Sequence, residues 1–344
     1  MPTDNHAENV KAHNNAIDIF RYIAAVLVVA HHTDVLAEIH PMLSYLVSQV
    51  LPRLSVPFFF AVAGYYYSAK LESGRGGYWD YIKRLLRTYT LWSVLYFVAG
   101  YFLNGSFSVK TALADYFIFG SAYHFWFFPA LILSVSVFTV MHKFGLHKVL
   151  IPVSLVLFLI GCLSHVYYQI GVQIPFIALL VQLPNWRWIS HVFTVGFTSF
   201  ILGYLLLLTR STEVSIKNTR RKDIVAVSML VVFLGEILLL KILGWVRTAT
   251  QSVGLYLFIY TLLDCLLDHP LPRFAAAGRT CRILANVAYY SHVLFISVFN
   301  EMNATLFAGA LTFTVKFLFA FLLSLSLGVL LCRGKGKLTK ALTA

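Results

Sequence analysis

Charge is what this sequence has least of: Asp, Glu, Lys and Arg together make up 12% of its 344 residues, where a soluble domain carries about a quarter. That is too little polar surface to cover a water-exposed globule, which excludes a soluble enzyme. Cysteine is also sparse. Cys162, Cys265, Cys281 and Cys332 fall in no short-spaced pair, so neither a zinc site nor a disulfide framework is signalled and no metal is expected. The chain has no internal repeat, no low-complexity stretch, no Gly-rich phosphate loop and no Ser-His-Asp order. Apolar runs far longer than about ten alternating residues exclude a membrane β-barrel, and the abundance of aromatic and branched residues excludes disorder.

What is present is 59% hydrophobic and 16% aromatic content, with a mean hydropathy of +0.77. These values indicate an all-α, polytopic membrane protein. Apolar windows of about 19 residues predict ten spans, near 17–37, 54–69, 88–103, 125–141, 147–164, 190–209, 223–241, 250–268, 283–300 and 311–332. The first follows a polar rather than basic segment and contains Asp18, Arg21, His31 and His32, so it is read as a retained helix and not a cleaved leader. With the N-terminus placed in the cytoplasm, 20 of the 27 Lys and Arg fall on cytoplasmic segments and five on outer ones. That bias puts both termini inside. The organisation expected is a cytoplasmic tail over 1–16, a transmembrane domain over 17–332 and a basic cytoplasmic tail over 333–344 that anchors at the inner leaflet. Residues 165–189, anchored by Trp186 and Trp188, read as an outer loop with a short interfacial piece, because an eleventh crossing would export the basic 210–222 segment.

Ionisable groups inside spans are costly and are therefore functional candidates. Arg21 and His32 are eleven residues apart on the first helix, about 20° from whole turns and about 16 Å apart in rise, so they share a face. Asp18 lies within pairing reach of Arg21. His31 points about 100° away from His32. Ala24, Ala25 and Val28 lie between the two ends and would leave room for a slender ligand. The competing structural account has Arg21 snorkelling to one interface and His32 to the other. A second element, Val56-Pro57-Phe58-Phe59-Phe60-Ala61-Val62-Ala63-Gly64-Tyr65, starts with a first-turn proline and carries a small pair, Ala63-Gly64, suited to close helix approach. A third, Tyr123-His124-Phe125-Trp126-Phe127, has the composition of an interface belt, with His124 at a depth like that of His32. Tyr289 and His292 stand at i, i+3 in the ninth span, where a buried hydrogen-bonded pair is the alternative.

This ordered set, Ile17-Asp18-Ile19-Phe20-Arg21 with His32, the Pro57–Tyr65 helix, His124-Phe125-Trp126-Phe127 and Tyr289-x-x-His292, resembles the acyltransferase-3 family of membrane acyltransferases over essentially the whole chain. Within it, the chain is similar to bacterial polysaccharide O-acetyltransferases and to the membrane half of vancomycin-resistance serine racemases. Two departures stand out: Ala63 replaces a common serine, and His31-His32 is doubled where one histidine is usual. The resemblance implies a multi-pass protein of the bacterial cytoplasmic (inner) membrane. It implies transfer of an acyl group, expected to be acetyl, from cytoplasmic acetyl-CoA as co-substrate to a hydroxyl of an envelope glycan or its lipid-linked precursor.

On that reading His32 is the general base, and Arg21 holds the phosphate or thioester side of coenzyme A. Arg75, Lys83 and Arg84 add phosphate contacts, while His124, Trp126, Tyr289 and His292 align the acceptor or the developing oxyanion. Asp18 and Gly64 give structural support. Membrane lipids are partners and nucleic acid is not. The rival function is a small-solute transporter doing no covalent chemistry, with Glu236, Asp264 and Lys316 as polar groups inside spans.

Overall fold

The computed structural model describes residues 14–104, 108–212, 219–334 and 336–343. Most of the tail over 1–16, with Lys11, lies outside them, as do Lys217 of the basic loop and Lys335 of the C-terminal run. The described residues are helical with no strand. Each predicted span has a helix: α1 (Asn15–Thr33), α2 (Ser55–Glu72), α3 (Tyr78–Asn104), α4 (Phe127–Lys143), α5 (Leu150–Ser164), α6 (Thr198–Thr212), α7 (Thr219–Ile242), α8 (Val253–Asp268), α9 (Ala275–Leu306) and α10 (Phe313–Arg333). Among the described residues, seven helical stretches are long and apolar enough to cross a membrane, and Phe127–Lys143 is a shorter apolar helix.

Local signals explain many of the boundaries. Pro57 sits in the first turn of α2, where a missing N–H costs nothing. The Ser252 and Thr312 hydroxyls accept from the Leu255 and Val315 amides at the starts of α8 and α10. Gly145 and Gly244, both at positive φ, stop α4 and α7. The basic 69–87 connection is nearly all helix, leaving only residues 73–77 between α2 and α3. Within the 165–189 segment, Tyr168–Gly171 and Pro175–Leu180 are helical pieces of four and six residues, too short to cross, whereas Trp186–Ser190 runs on into α6 as part of the long apolar helical stretch Trp186–Ser211.

The chain divides into two compact units. One comprises Val56–Tyr78 and Ala130–Pro270. In it α2 and α6 approach backbone to backbone: a Cβ at Gly64 would lie 2.0 Å from the Phe200 carbonyl oxygen, and one at Gly203 would lie 1.9 Å from that of Ala61. The Ala63-Gly64 pair therefore marks a helix crossing. Arg210 of α6 and Lys222 of α7 both pair with Asp264 and Asp268 of α8, tying three helices together.

The other unit comprises Asn15–Ser55, Trp79–Pro129 and Leu271–Ala344. Here α1, α9 and α10 pack together around Val29, Ile296 and Ala320, bordered by Phe295, Phe317 and Phe321. Beyond Gly336 the C-terminal run forms a short helix, Lys337–Leu342. Its end is bound by Thr88, Trp92 and Asn286, which donate to the carbonyls of Ala341, Leu342 and Thr343. Side-chain donors from α3 and α9 thus hold the end of this tail on protein.

Gly64→Ala and Gly203→Ala are each expected to cost about 1–3 kcal/mol through overpacking. Gly235→Ala, which has open space in mid-α7, should gain about 0.5–1 kcal/mol. Thermal unfolding of the detergent-purified variants, followed by tryptophan fluorescence, would separate the two behaviours.

Candidate functional site

Arg21 and Asp18 pair at 3.3 Å one turn apart on α1, with the carboxylate buried and the guanidinium about a quarter exposed. The stripe above them is closed. Ala24 and Ala25 are fully buried and Val28 nearly so, and the Ser55 hydroxyl donates to the Ala24 carbonyl at 2.9 Å. The small side chains expected to leave room for a ligand instead let neighbouring backbone come close, so that face does not line an open channel.

At the other end of α1 the two histidines part company. His31 Nδ1 donates to the Ser48 carbonyl at 2.6 Å, a carbonyl being able only to accept. The His32 ring lies against three others: Tyr123 at 5.0 Å edge-on, His292 at 5.2 Å nearly parallel, and His31 at 4.8 Å. His124 completes the group, 4.9 Å from His292 and 5.5 Å from Tyr289. His32, His124, Tyr289 and His292, separated by up to 260 residues in sequence, thus converge. Trp126 is half-buried, two residues beyond His124.

Two of these imidazoles, those of His31 and His292, are held by backbone carbonyls. His292, fully buried, donates from Nδ1 to the Ala288 carbonyl of its own helix at 2.9 Å. That bond puts the neutral ring's lone pair on Nε2, which is buried and has no hydrogen-bond partner among the described residues. The Tyr289 hydroxyl donates to the His124 carbonyl at 2.7 Å, so Tyr289 positions the His124 segment. That segment turns sharply at Gly120 (φ +95°), where a Cβ would lie 2.5 Å from the Trp126 nitrogen. Tyr89 braces the same turn, donating to the Tyr116 carbonyl at 2.7 Å and accepting from the Ser121 amide at 3.1 Å.

The loop after His32 is clamped to α10. Leu36 N–H donates to the Thr314 hydroxyl, and Thr314 N–H to the Glu38 carboxylate. These contacts, the Thr314 hydroxyl foremost, hold the Glu38 carboxyl at about 2, below the ordinary 4.5.

Sequence reasoning missed Tyr96. Its hydroxyl donates to the Tyr290 carbonyl at 2.9 Å and accepts from the Leu294 amide at 3.0 Å, bridging an i, i+4 pair of α9 around His292. Its ring also lies 5.5 Å from His124. An aromatic residue inside an apolar span carries no mark of such a role. Tyr123, at the start of its aromatic cluster in the sequence, is the ring edge-on to His32.

The proposed coenzyme contacts divide. Lys83 and Arg84 are exposed on α3, Arg84 stacks on Tyr81 at 5.2 Å, and Arg84 and Arg21 both lie within electrostatic reach of Tyr290. Arg75 is exposed in the 73–77 turn of the other unit. The polar groups that would suit a solute pathway have structural partners. Glu236 accepts from Tyr167 and from the Val253 and Gly254 amides at the start of α8, Asp264 belongs to the Arg210–Lys222 network, and Lys316 lies over the Phe313 ring at 4.9 Å.

A helical, membrane-suited unit whose histidines and tyrosines from four elements meet at one end of α1 defines a multi-pass membrane protein with an imidazole-centred site. The acyltransferase-3 family model, an acyltransferase domain, matches residues 14–333, and the chain belongs to that family. It is similar to an amino-acid racemase of Enterococcus faecalis, 32% identical over 222 residues that make up 62% of this chain and 31% of the racemase. It is also similar to a serine/alanine racemase of Enterococcus gallinarum, 34% identical over 127 residues, 35% of this chain and 18% of that protein. These matches thus span less than a third of either relative. No solved structure matches the chain.

Replacing Tyr96 by Phe removes both bonds that bridge α9. Amide exchange at 292–294 is expected to accelerate about tenfold or more, with the α1 amides unchanged, in hydrogen-exchange mass spectrometry of the purified protein.

Proposed function

We propose that this protein is an O-acetyltransferase of the bacterial cytoplasmic membrane, with both termini inside. It moves acetyl from cytoplasmic acetyl-CoA to a hydroxyl of an envelope glycan or its lipid-linked precursor. The observation that carries this reading is the convergence of His32, His124 and His292, with aromatic rings around them, in a chain of the acyltransferase-3 family.

Acyl transfer from a thioester needs a base for the acceptor hydroxyl, donors for the oxyanion and a hold on the coenzyme. His32, neutral, takes the acceptor proton as the hydroxyl oxygen attacks the thioester carbonyl, forming the C–O bond and an oxyanion. The Tyr123 hydroxyl and the His124 ring are the nearby groups suited to donate to that oxyanion. His292, locked by Ala288, stacks against His32 and fixes the plane of its ring. Collapse re-forms the carbonyl and breaks the C–S bond, and the proton held by His32 leaves with the coenzyme thiol. Tyr289 and Tyr96 are positioning residues.

At the inner side Arg21, pre-oriented by Asp18, offers its fork to a coenzyme phosphate, with Lys83 and Arg84 adding charge from α3. The closed Ala24–Val28 stripe requires the pantetheine arm to enter beside it, not along it. A transporter reading draws no support from Glu236, Asp264 or Lys316, since each has a structural partner.

His32→Gln and His292→Gln should each lower acetyl transfer from labelled acetyl-CoA by about a hundredfold or more in isolated membranes, with insertion unchanged. His31→Gln should retain most activity. Arg21→Ala should act chiefly by raising KM for acetyl-CoA. Mass spectrometry of envelope glycans from cells with and without the gene should show increments of acetyl mass only when it is present. Full acetylation by a well-inserted His32→Gln protein would overturn the assignment of the base.

A further inference from the structure

Away from the imidazole cluster, the unit built on α2 and α4–α8 brings together three side chains of different chemistry. Asp223 lies near the start of α7, Cys265 in the last turn of α8, and His269 immediately after α8. We propose that Asp223, Cys265 and His269 form a binding site for a divalent transition-metal ion of the zinc type, linking α7 to α8 through one carboxylate oxygen, one sulfur and one imidazole nitrogen. The site does not depend on the acyltransferase reading.

Cys265 and His269 are four residues apart, so they share one face. The Cys265 thiol lies 3.1 Å from Asp223 Oδ1, and His269 Nε2 lies 3.7 Å from the same oxygen. The donor atoms of all three residues fall within 4.8 Å of one another. Tetrahedral zinc with bonds of about 2.0–2.3 Å requires ligand-to-ligand edges of about 3.3–3.8 Å, so little movement is needed to seat an ion.

The histidine is already oriented as a ligand. His269 Nδ1 donates to the Cys265 carbonyl at 3.0 Å, the outer bond that metal-bound histidines commonly make. In the neutral ring that bond leaves the Nε2 lone pair 3.7 Å from the Asp223 carboxylate oxygen, so that both can present lone pairs to one cation. The neighbouring carboxylates do not compete, because Asp264 and Asp268 are each bound by both Arg210 and Lys222. A sulfur, nitrogen and oxygen set suits zinc or cobalt and not magnesium or calcium. His269 and Asp223 are 40% and 47% exposed, which gives an ion access and leaves a fourth position to water. Towards the middle of the same helix pair, Phe233 stacks on Phe258 and Glu236 holds the start of α8, so the frame stands without the ion. On binding, the Cys265 S–H proton passes to solvent as the metal–sulfur bond forms, and affinity should rise with pH.

The test is titration of the full-length, tag-free protein in detergent with Co²⁺. One equivalent should produce a sulfur-to-cobalt charge-transfer band in the near ultraviolet and tetrahedral d–d bands in the visible, both abolished by one equivalent of Zn²⁺. Cys265→Ser should lose the charge-transfer band. His269→Gln and Asp223→Asn should weaken binding about tenfold or more, while Cys332→Ser should change nothing. If Cys265→Ser fails to purify, the partly exposed His269→Gln and Asp223→Asn decide the matter by their affinity alone. A wild-type protein that gives no sulfur band would overturn the proposal. Binding unchanged in all three ligand variants, reporting histidines elsewhere, would overturn it equally.

Discussion

The hydrogen bond from His292 Nδ1 to the Ala288 carbonyl expresses the constraint on which the candidate site rests: inside an apolar helical unit a ring N–H must find an acceptor, and a backbone carbonyl is the one at hand. Once one nitrogen is committed, the ring is fixed in rotation and in tautomer, and the other nitrogen becomes a defined chemical group. The same logic holds His31 on Ser48 and Tyr289 on the His124 carbonyl. The geometry of the candidate site thus follows in part from satisfying polar groups where water is scarce.

Around that constraint the two units use small residues for one purpose and aromatic residues for another. Gly64 and Gly203 let α2 and α6 touch through their backbones, and Ala24 and Ala25 let Ser55 reach the backbone of α1. Lipid offers helices no hydrophobic incentive to associate, so close van der Waals packing and buried hydroxyl bonds supply it. Aromatic side chains then brace irregular backbone. Tyr89 spans the turn at Gly120, and Tyr96 spans α9 beside His292.

Membership of the acyltransferase-3 family and the imidazole cluster agree on a reaction class while leaving the acceptor to experiment. The relatives named as racemases share less than a third of their length with this chain, so their named reaction is not carried over to it. The ion network of Arg210, Lys222, Asp264 and Asp268 and the adjacent Asp223–Cys265–His269 group show that the unit built on α2 and α4–α8 has polar groups of its own, apart from the imidazole cluster.

The all-helical character and the approximate positions of the apolar helices were legible in the sequence, because such a helix is written in a continuous apolar run and its ends in glycine, proline and capping hydroxyls; the number of crossings was not, since among the described residues seven stretches, not ten, are long and apolar enough to span. The 100° step between His31 and His32 was legible for the same reason, helix geometry being local. The stripe from Ala24 to Val28 was misread: small side chains can open a channel or admit a neighbour, and only the position of Ser55 distinguishes the two. Tyr96, the docked C-terminal helix and the Asp223–Cys265–His269 group were illegible, since their partners lie tens to hundreds of residues away. By itself the sequence determined a helical membrane chain with its histidines placed on known faces. Tertiary structure decided which faces meet, because in an apolar medium buried polar groups find their partners by proximity in space, and no local pattern records that.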